Sequence, residues 1–254
     1  TDNEHKMTVA GRGELHLSVL FEALRREGYE FCVSKPQVIV KEIDGAKCEP
    51  IDRVRVEVPE DYSGNVIEQL SSRKGEMQSL NTNEQGITSI EFLIPTRGLM
   101  GYRGEFLTTT RGLGILTSVF EIYAPWKGEI PSRKRGVLIS MCPGKTNGYA
   151  CFNLEDRGEL FTKPGEDVYE GMIVGEHNRE NDLLVNITKA KQLTNVRASG
   201  SDENIQLSPP KVLNLEQAIG YINNDEWLEI TPGAIRLRKT HLTENDRNRA
   251  KRNL

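Results

Sequence analysis

Apolar positions set the first element. Leu17, Leu20, Phe21 and Leu24 recur at i, i+3, i+4 and i+7, the spacing of one helix face, and Gly28 follows as a stop signal. Upstream, Met7–Ala10 reads as a short strand and Gly11-Arg12-Gly13 as a turn. Downstream, Tyr29, Phe31 and Val33 alternate as a strand that Pro36 interrupts and Val38-Ile39-Val40 resumes. A strand–helix–strand stretch of about 40 residues buries a single face, so its other half is expected upstream of Thr1.

The period then drops to two. Val54, Val56 and Val58 alternate with Arg55 and Glu57 until Pro59. Asp61 or Ser63 can cap a helix whose Val66, Ile67 and Leu70 share a face, with Gly75 just past its end. Strands are predicted over 75–80 and 87–95 around the turn-rich 81–86, then a Gly-rich helical stretch over 99–110 and a strand over 113–122. The order β-α-β-β-α-β is the split βαβ, ferredoxin-like pattern. Ala124-Pro125-Trp126-Lys127-Gly128 reads as a linker. From 136 to 186 short strands, Tyr149–Leu154 among them, alternate with turns such as Pro143-Gly144 and Pro164-Gly165, predicting a small barrel or sandwich. Residues 192–210 carry few large apolar side chains and read as a long mobile loop. Asn214 can cap a helix through Ile222, strands are predicted over 227–230 and 235–238, and Thr243 opens a basic terminal helix. The expectation is a multidomain α+β chain. Residues 1–44 form half of a ferredoxin-like domain, 45–126 a complete one, and 127–254 a β-rich domain with short helices and a mobile loop near 189–208.

Composition removes several function classes. No apolar run reaches the ~20 residues of a membrane helix, and Thr1–Lys6 lack a signal-peptide core. Four cysteines without a Cys-x-x-Cys pair and four scattered histidines predict reduced thiols and no metal site. A net charge of −4 argues against a uniformly basic nucleic-acid binder, so RNA affinity has to come from local patches.

The motifs point the same way. Gly144-Lys145-Thr146 invites a phosphate-loop reading, but Ile139 stands where the Walker A spacing demands glycine, so the segment reads as a turn. Gly98, Gly101, Gly104, Gly112 and Gly114 suit close backbone approach, to a packed neighbour or to a phosphate backbone. No nucleophile or acid–base constellation emerges, and His16 reads as a packing or surface residue. Charge is segregated instead. Glu155, Asp156, Glu159, Glu166, Asp167, Glu170, Glu176, Glu180 and Asp182 crowd one stretch. The cations gather elsewhere: Arg133-Lys134-Arg135; Lys189, Lys191 and Arg197 about the long loop; Arg236, Arg238 and Lys239; and Arg247, Arg249, Lys251 and Arg252 at the end. Arg97, Arg103 and Arg111 sit at or beside glycines. Basic side chains on flexible backbone suit phosphate contact, where Arg forks two oxygens.

Gly11-Arg12-Gly13-Glu14-Leu15-His16-Leu17 through Lys35-Pro36-Gln37-Val38 resemble the second half of domain III of the elongation factor G family. Pro59–Ile67 with Arg73-Lys74-Gly75 are similar to the first helix of its domain V. Gly136–Ser140, Asp156-Arg157-Gly158, Tyr169-Glu170-Gly171, Leu193–Gly200, Ile235–Lys239 and Leu242–Arg247 resemble the BipA (TypA) family of translational GTPases. The resemblance implies a ribosome-binding factor of subunit assembly and stress or cold adaptation, cytoplasmic and monomeric. Its GTPase domain, with GTP and Mg2+, would precede Thr1, so no cofactor and no catalysis are expected of this chain. It also implies docking of the domain III- and V-like parts on rRNA, and Arg97, Arg103, Arg111, Arg236, Arg238 and Lys239 are the candidates for RNA contact that their charge and setting mark. Lys189, Lys191 and Arg197 would reach the A-site tRNA. The alternative is a protein-interaction module whose acidic 155–182 face recruits a basic ribosomal protein.

Overall fold

The computed structural model describes residues 6–130, 133–190 and 206–252. The chain divides into two compact units, 36–132 and a second one made of 1–35 with 133–254. Helix α1 (Glu14–Arg26) and strand β1 (Phe31–Ser34) come first. Glu14 in its first turn and Arg25 and Arg26 in its last complement the helix dipole. Residues 7–10, expected as a strand, and 38–40 are irregular.

Unit 36–132 is an antiparallel sheet with helices on one face. Its elements are β2 (Lys41–Ile43), β3 (Ala46–Pro59), α2 (Glu60–Ser72), β4 (Glu76–Thr82), β5 (Ile87–Pro95), α3 (Thr96–Leu99), α4 (Tyr102–Thr109) and β6 (Ile115–Pro125). Strand β3 lies between β5 and β6, and β4 flanks β5, which is the predicted split βαβ arrangement. The alternation read from sequence is the packing pattern. Val54, Val56, Val58, Ile90, Phe92 and Ile94 are buried against Val66, Leu70, Tyr102 and Phe106, whereas Arg53, Arg55 and Glu91 pair on the open face. Neither Asp61 nor Ser63 caps α2, whose N-cap is Pro59 with no side-chain cap. The supposed linker is tied down: Ala124 and Pro125 complete β6, and Trp126 N donates to Lys47 O at 3.0 Å.

The other unit holds β7 (Val137–Ser140), β8 (Gly144–Lys145), α5 (Gly148–Glu155), β9 (Gly158–Leu160), β10 (Asp167–Val168), β11 (Met172–His177), β12 (Leu183–Val185), α6 (Leu215–Tyr221), β13 (Glu226–Ile230), β14 (Ile235–Lys239) and α7 (Glu244–Arg252). A mixed sheet runs β1-β13-β14-β11-β7-β12, with β9 also on β11. On one face Phe21 of α1 and Ala218, Ile219 and Ile222 from α6 and its end meet Ile173, Leu228, Ile230 and Leu237. On the other, Cys151 of α5 meets Leu138, Val174 and Ile187. Two expectations change here. Residues 149–154 form a helix rather than a strand. Asn147 accepts from Tyr149 N at 2.9 Å, and Ala150 and Cys151 turn one face inward. The first 35 residues do not stand as a block reaching to residue 44. Phe31–Ser34 pair with Trp227–Ile230, and Phe21 and Leu17 of α1 pack into the cluster that holds α6, while Leu15, Val19 and Leu20 stay exposed. Asn214 caps α6 as expected, and Gln217 completes a capping box with it. The long loop of 192–210 lies mostly outside the described residues, and 206–210 are irregular.

Candidate nucleic-acid interface

The predicted cations divide by what surrounds them. Arg97 sits where β5 turns into α3, and its guanidinium meets the fully buried Glu49 carboxylate in a two-pronged pair, Nη2–Oε1 being 3.1 Å. It also stacks 3.7 Å from the centroid of Trp126 and donates to Gly128 O, while Lys127 N donates to Glu49 at 2.8 Å. Arg97 therefore fastens the segment after β6 and is withdrawn from RNA contact. Lys239 is withdrawn from RNA contact as well. Side chains alternate along β14, so Arg236 and Arg238 face one side and Leu237 and Lys239 the other, beneath the helices. There Lys239 Nζ lies 2.7 Å from Asp182, 2.8 Å from Asp225 and 3.0 Å from Glu226.

Arg133, grouped with the basic run at 133–135, joins the same network. It holds fully buried Glu226 through Nη1 and Nη2 at 3.1 and 2.9 Å and covers the Tyr221 ring at 4.4 Å. Burial pushes the Glu226 and Asp182 carboxyls up, yet the charges of Arg133 and Lys239 outweigh it and hold both below the usual range. Burial likewise pulls the Lys239 ammonium down, and its three carboxylates more than reverse that. The cluster is a structural latch.

Arg103 and Arg111 remain exposed, and neither has an acidic partner among the described residues. They flank the outer face of α4, where Leu107 and Thr108 are exposed too. The glycines here split between both expected roles. A Cβ at Gly98 would lie 2.7 Å from Arg73 O and one at Gly114 2.5 Å from Phe106, so these two serve packing. Gly104 has nothing within 4 Å, which leaves the backbone beside Arg103 open to an approaching group. Exposed Lys74, left-handed at φ 67°, lies just past the end of the neighbouring α2.

On the second unit Arg236 and Arg238 are half-buried on the sheet face that also carries Trp227 and Glu229. Arg238 stacks on Trp227 at 4.9 Å, and Arg236 lies 3.4 Å from Glu229, which Tyr169 also engages at 2.6 Å. Lys189 is exposed, while Lys191 and Arg197 lie outside the described residues. The acidic stretch is committed internally in part. Glu159 pairs with Lys211, Glu176 with Arg135, and Asp182 with Lys239, while Glu155 accepts from Ser208 N. Around Gly144-Lys145-Thr146 the backbone donors point inward: Thr146 N to Glu166 O and Asn147 N to Ile187 O, each near 3 Å. The Thr146 hydroxyl donates to Lys163 O at 2.6 Å. No phosphate cradle is left there, although a strand, a loop and a helix do follow one another. Among the described residues no group of three or more His, Cys, Asp or Glu side chains is placed to hold a metal. No helix among them is long and apolar enough to cross a membrane.

Comparison with known proteins matches residues 135–244 to the TypA/BipA C-terminal domain and residues 46–134 to the elongation factor G C-terminus. Their junction lies two residues past the break between the compact units. The chain is 51% identical over 95% of its length to the large ribosomal subunit assembly factor BipA of Bacillus subtilis (strain 168), covering 40% of that protein. Against the proteins of the same name, identity is 52% in Haemophilus influenzae and 50% in Escherichia coli K12. Each match takes in 99% of this chain, with 41% and 42% of the relatives covered. The chain thus spans about two fifths of the length of these relatives. A crystal structure from Thermus thermophilus aligns with 32% of the chain and 12% of its own at 26% identity and a TM-score of 0.31, too partial a likeness to bear on the fold.

Proposed function

The chain belongs to the TypA/BipA family, and on that premise we propose that it is a docking region which grips RNA of the large ribosomal subunit through the cations its fold leaves free. The observation that carries this reading is the sorting of cations. Arg97, Arg133 and Lys239 are consumed by buried carboxylates, whereas Arg103 on the open face of α4 and Arg111 in the turn just past its end have no acidic partner among the described residues. An unpaired guanidinium on a surface keeps all its donors for phosphate oxygens, and it is more weakly hydrated than an ammonium, so it gives up its water at lower cost. The name of the relatives, large ribosomal subunit assembly factor, supports the large subunit as the partner, and a cytoplasmic setting goes with that reading. GTP hydrolysis, with its GTP and Mg2+, is assigned to the part of the relatives beyond the matched span. Lys189, together with Lys191 and Arg197, is kept as a second contact, directed at tRNA.

The test is cosedimentation of the chain with large ribosomal subunits, before and after nuclease treatment and with Arg103→Glu/Arg111→Glu. Binding that the nuclease abolishes and the double reversal weakens supports the reading. Nuclease-resistant binding that the reversal leaves untouched would replace RNA with a ribosomal protein as the docking partner.

A further inference from the structure

Helix α7 closes the described chain with the sequence Glu-Asn-Asp-Arg-Asn-Arg-Ala-Lys-Arg, and none of its residues is buried. A helix that is polar all round gains nothing from a core, so its persistence rests on its ends. Thr243 supplies one end: its hydroxyl accepts from Asp246 N at 3.2 Å and donates to the Asp246 carboxylate at 2.7 Å. Arg247 supplies the other tie, donating to His241 O at 3.1 Å and to Leu242 O. The connecting segment is itself pressed onto Gly171, where a Cβ would lie 2.6 Å from Leu242. Lys239 N also donates to Gly171 O at 2.9 Å. The helix is thus held firmly at its root and projects a polar surface.

That surface is patterned. Asn245, Asn248, Arg249 and Arg252 stand at i, i+3, i+4 and i+7 and line one shallow hollow. These are the positions an amphipathic helix would fill with leucines. Here each carries a planar amide or guanidinium, and none has a side-chain hydrogen-bond or ion-pair partner among the described residues. We propose that this Asn–Arg face of α7 is a binding site for the sugar–phosphate backbone of duplex RNA. It rests on the RNA-docking reading above and names a second, separate contact and the form of RNA it takes.

The chemistry selects that ligand over its rivals. A protein partner needs apolar anchors at the centre of an interface, and α7 offers only Ala250. A membrane surface needs a bulky apolar face opposite the basic one, which is absent for the same reason. Phosphates need positive charge, and Arg247, Arg249, Lys251 and Arg252 against Glu244 and Asp246 give the helix a net +2, with Arg249 and Arg252 on the hollow. The asparagines decide between nucleic acids. An amide both donates and accepts, which a ribose 2′-hydroxyl can answer and a deoxyribose cannot.

The experiment measures binding of the intact chain to a labelled RNA duplex of about two helical turns, to the DNA duplex of the same sequence and to a poly-glutamate peptide, across a salt series. Arg249→Glu/Arg252→Glu should weaken RNA binding on the order of tenfold and flatten the salt slope by about 1.4–1.8. Asn245→Ala/Asn248→Ala should leave the slope intact and erase the preference for RNA over DNA. All four positions lie on the surface, and an unchanged circular dichroism spectrum confirms folding of each variant. If both pairs bind RNA as the parent does while Arg103→Glu/Arg111→Glu loses affinity, this inference falls and the docking reading stands. If the parent ignores RNA, both fall. If α7 reversal costs the peptide as much as the RNA, the face is a general anion binder and the proposal is overturned.

Discussion

Replacing Lys239 by Met tests whether the latch is as dry as its geometry indicates. The substitution keeps the aliphatic stem and removes only the ammonium, which lies within 3.0 Å of Asp182, Asp225 and Glu226. Removing one member of a buried ion pair costs about 3–5 kcal/mol, because the remaining charge is left uncompensated. Two features place the expected loss at the lower end. Glu226, fully buried, keeps Arg133 and the Asn223 amide at 2.9 Å, and the other two carboxylates reach solvent. A loss of about 3 kcal/mol is a large share of the ~5–15 kcal/mol that holds a domain, yet it leaves the unit folded. With a urea slope of about 2 kcal/mol per molar, the midpoint falls by about 1.5 M. Trp227 belongs to this unit and Trp126 to the other, so fluorescence in a Trp126→Phe background isolates the transition. The sign of the pH dependence follows from the carboxyls. Both Glu226 and Asp182 are depressed in the fold, so their contribution is full above an unfolded value near ~4 and is lost as pH falls through the folded values. Lys239 is raised, so its contribution is full below ~10.4 and is lost as pH rises through its folded value. The gap between parent and variant should therefore be flat near neutrality and close toward both extremes. A midpoint shift no larger than that of an exposed ion pair, or a gap that widens in acid, refutes the latch.

Arg97→Met should destabilise unit 36–132 by about 4 kcal/mol, since Glu49 would keep only a backbone amide inside the fold; adding Glu49→Gln should restore much of it. Urea midpoints followed by Trp126 fluorescence, in a Trp227→Phe background, check both. Gly104→Ala should stabilise the same unit by about 0.5–1 kcal/mol, because a helical position with open space around it gains only from reduced backbone freedom in the unfolded chain. Gly101→Ala should do the reverse, its φ of 70° being left-handed, and thermal midpoints of the two variants decide.

Local pattern carries the ferredoxin-like unit. Val54, Val56 and Val58 face the core because strand side chains alternate, and no distant residue is needed to see it. Capping chemistry is equally plain at Asn214, where the Gln217 partner lies three residues on. Non-local pairing is not visible in the sequence. Nothing near Phe31 announces that it will lie beside Ile230, and nothing near Arg97 points to Glu49, 48 positions earlier. Lys239 is in principle legible, because Arg236, Leu237 and Arg238 fix which side of β14 it takes; reading the cations as a run, without the period of two, hides it. Residues 149–154 form a short apolar stretch that suits strand or helix alike until Asn147 is seen to cap it. The Asn–Arg hollow of α7 is spelled out at helical spacing, but the basic residues mask the asparagines between them.

The most direct test of the account is the salt dependence of binding to large-subunit rRNA for the parent chain, for Arg97→Met and for Arg103→Glu/Arg111→Glu. If exposed cations make the phosphate contacts and buried ones hold the fold, the double reversal lowers the slope of log affinity against log salt by about 1.4–1.8. Arg97→Met, measured below its unfolding midpoint, then leaves the slope unchanged. Equal slopes for the parent and the double reversal, or a fall produced by Arg97→Met, would contradict it.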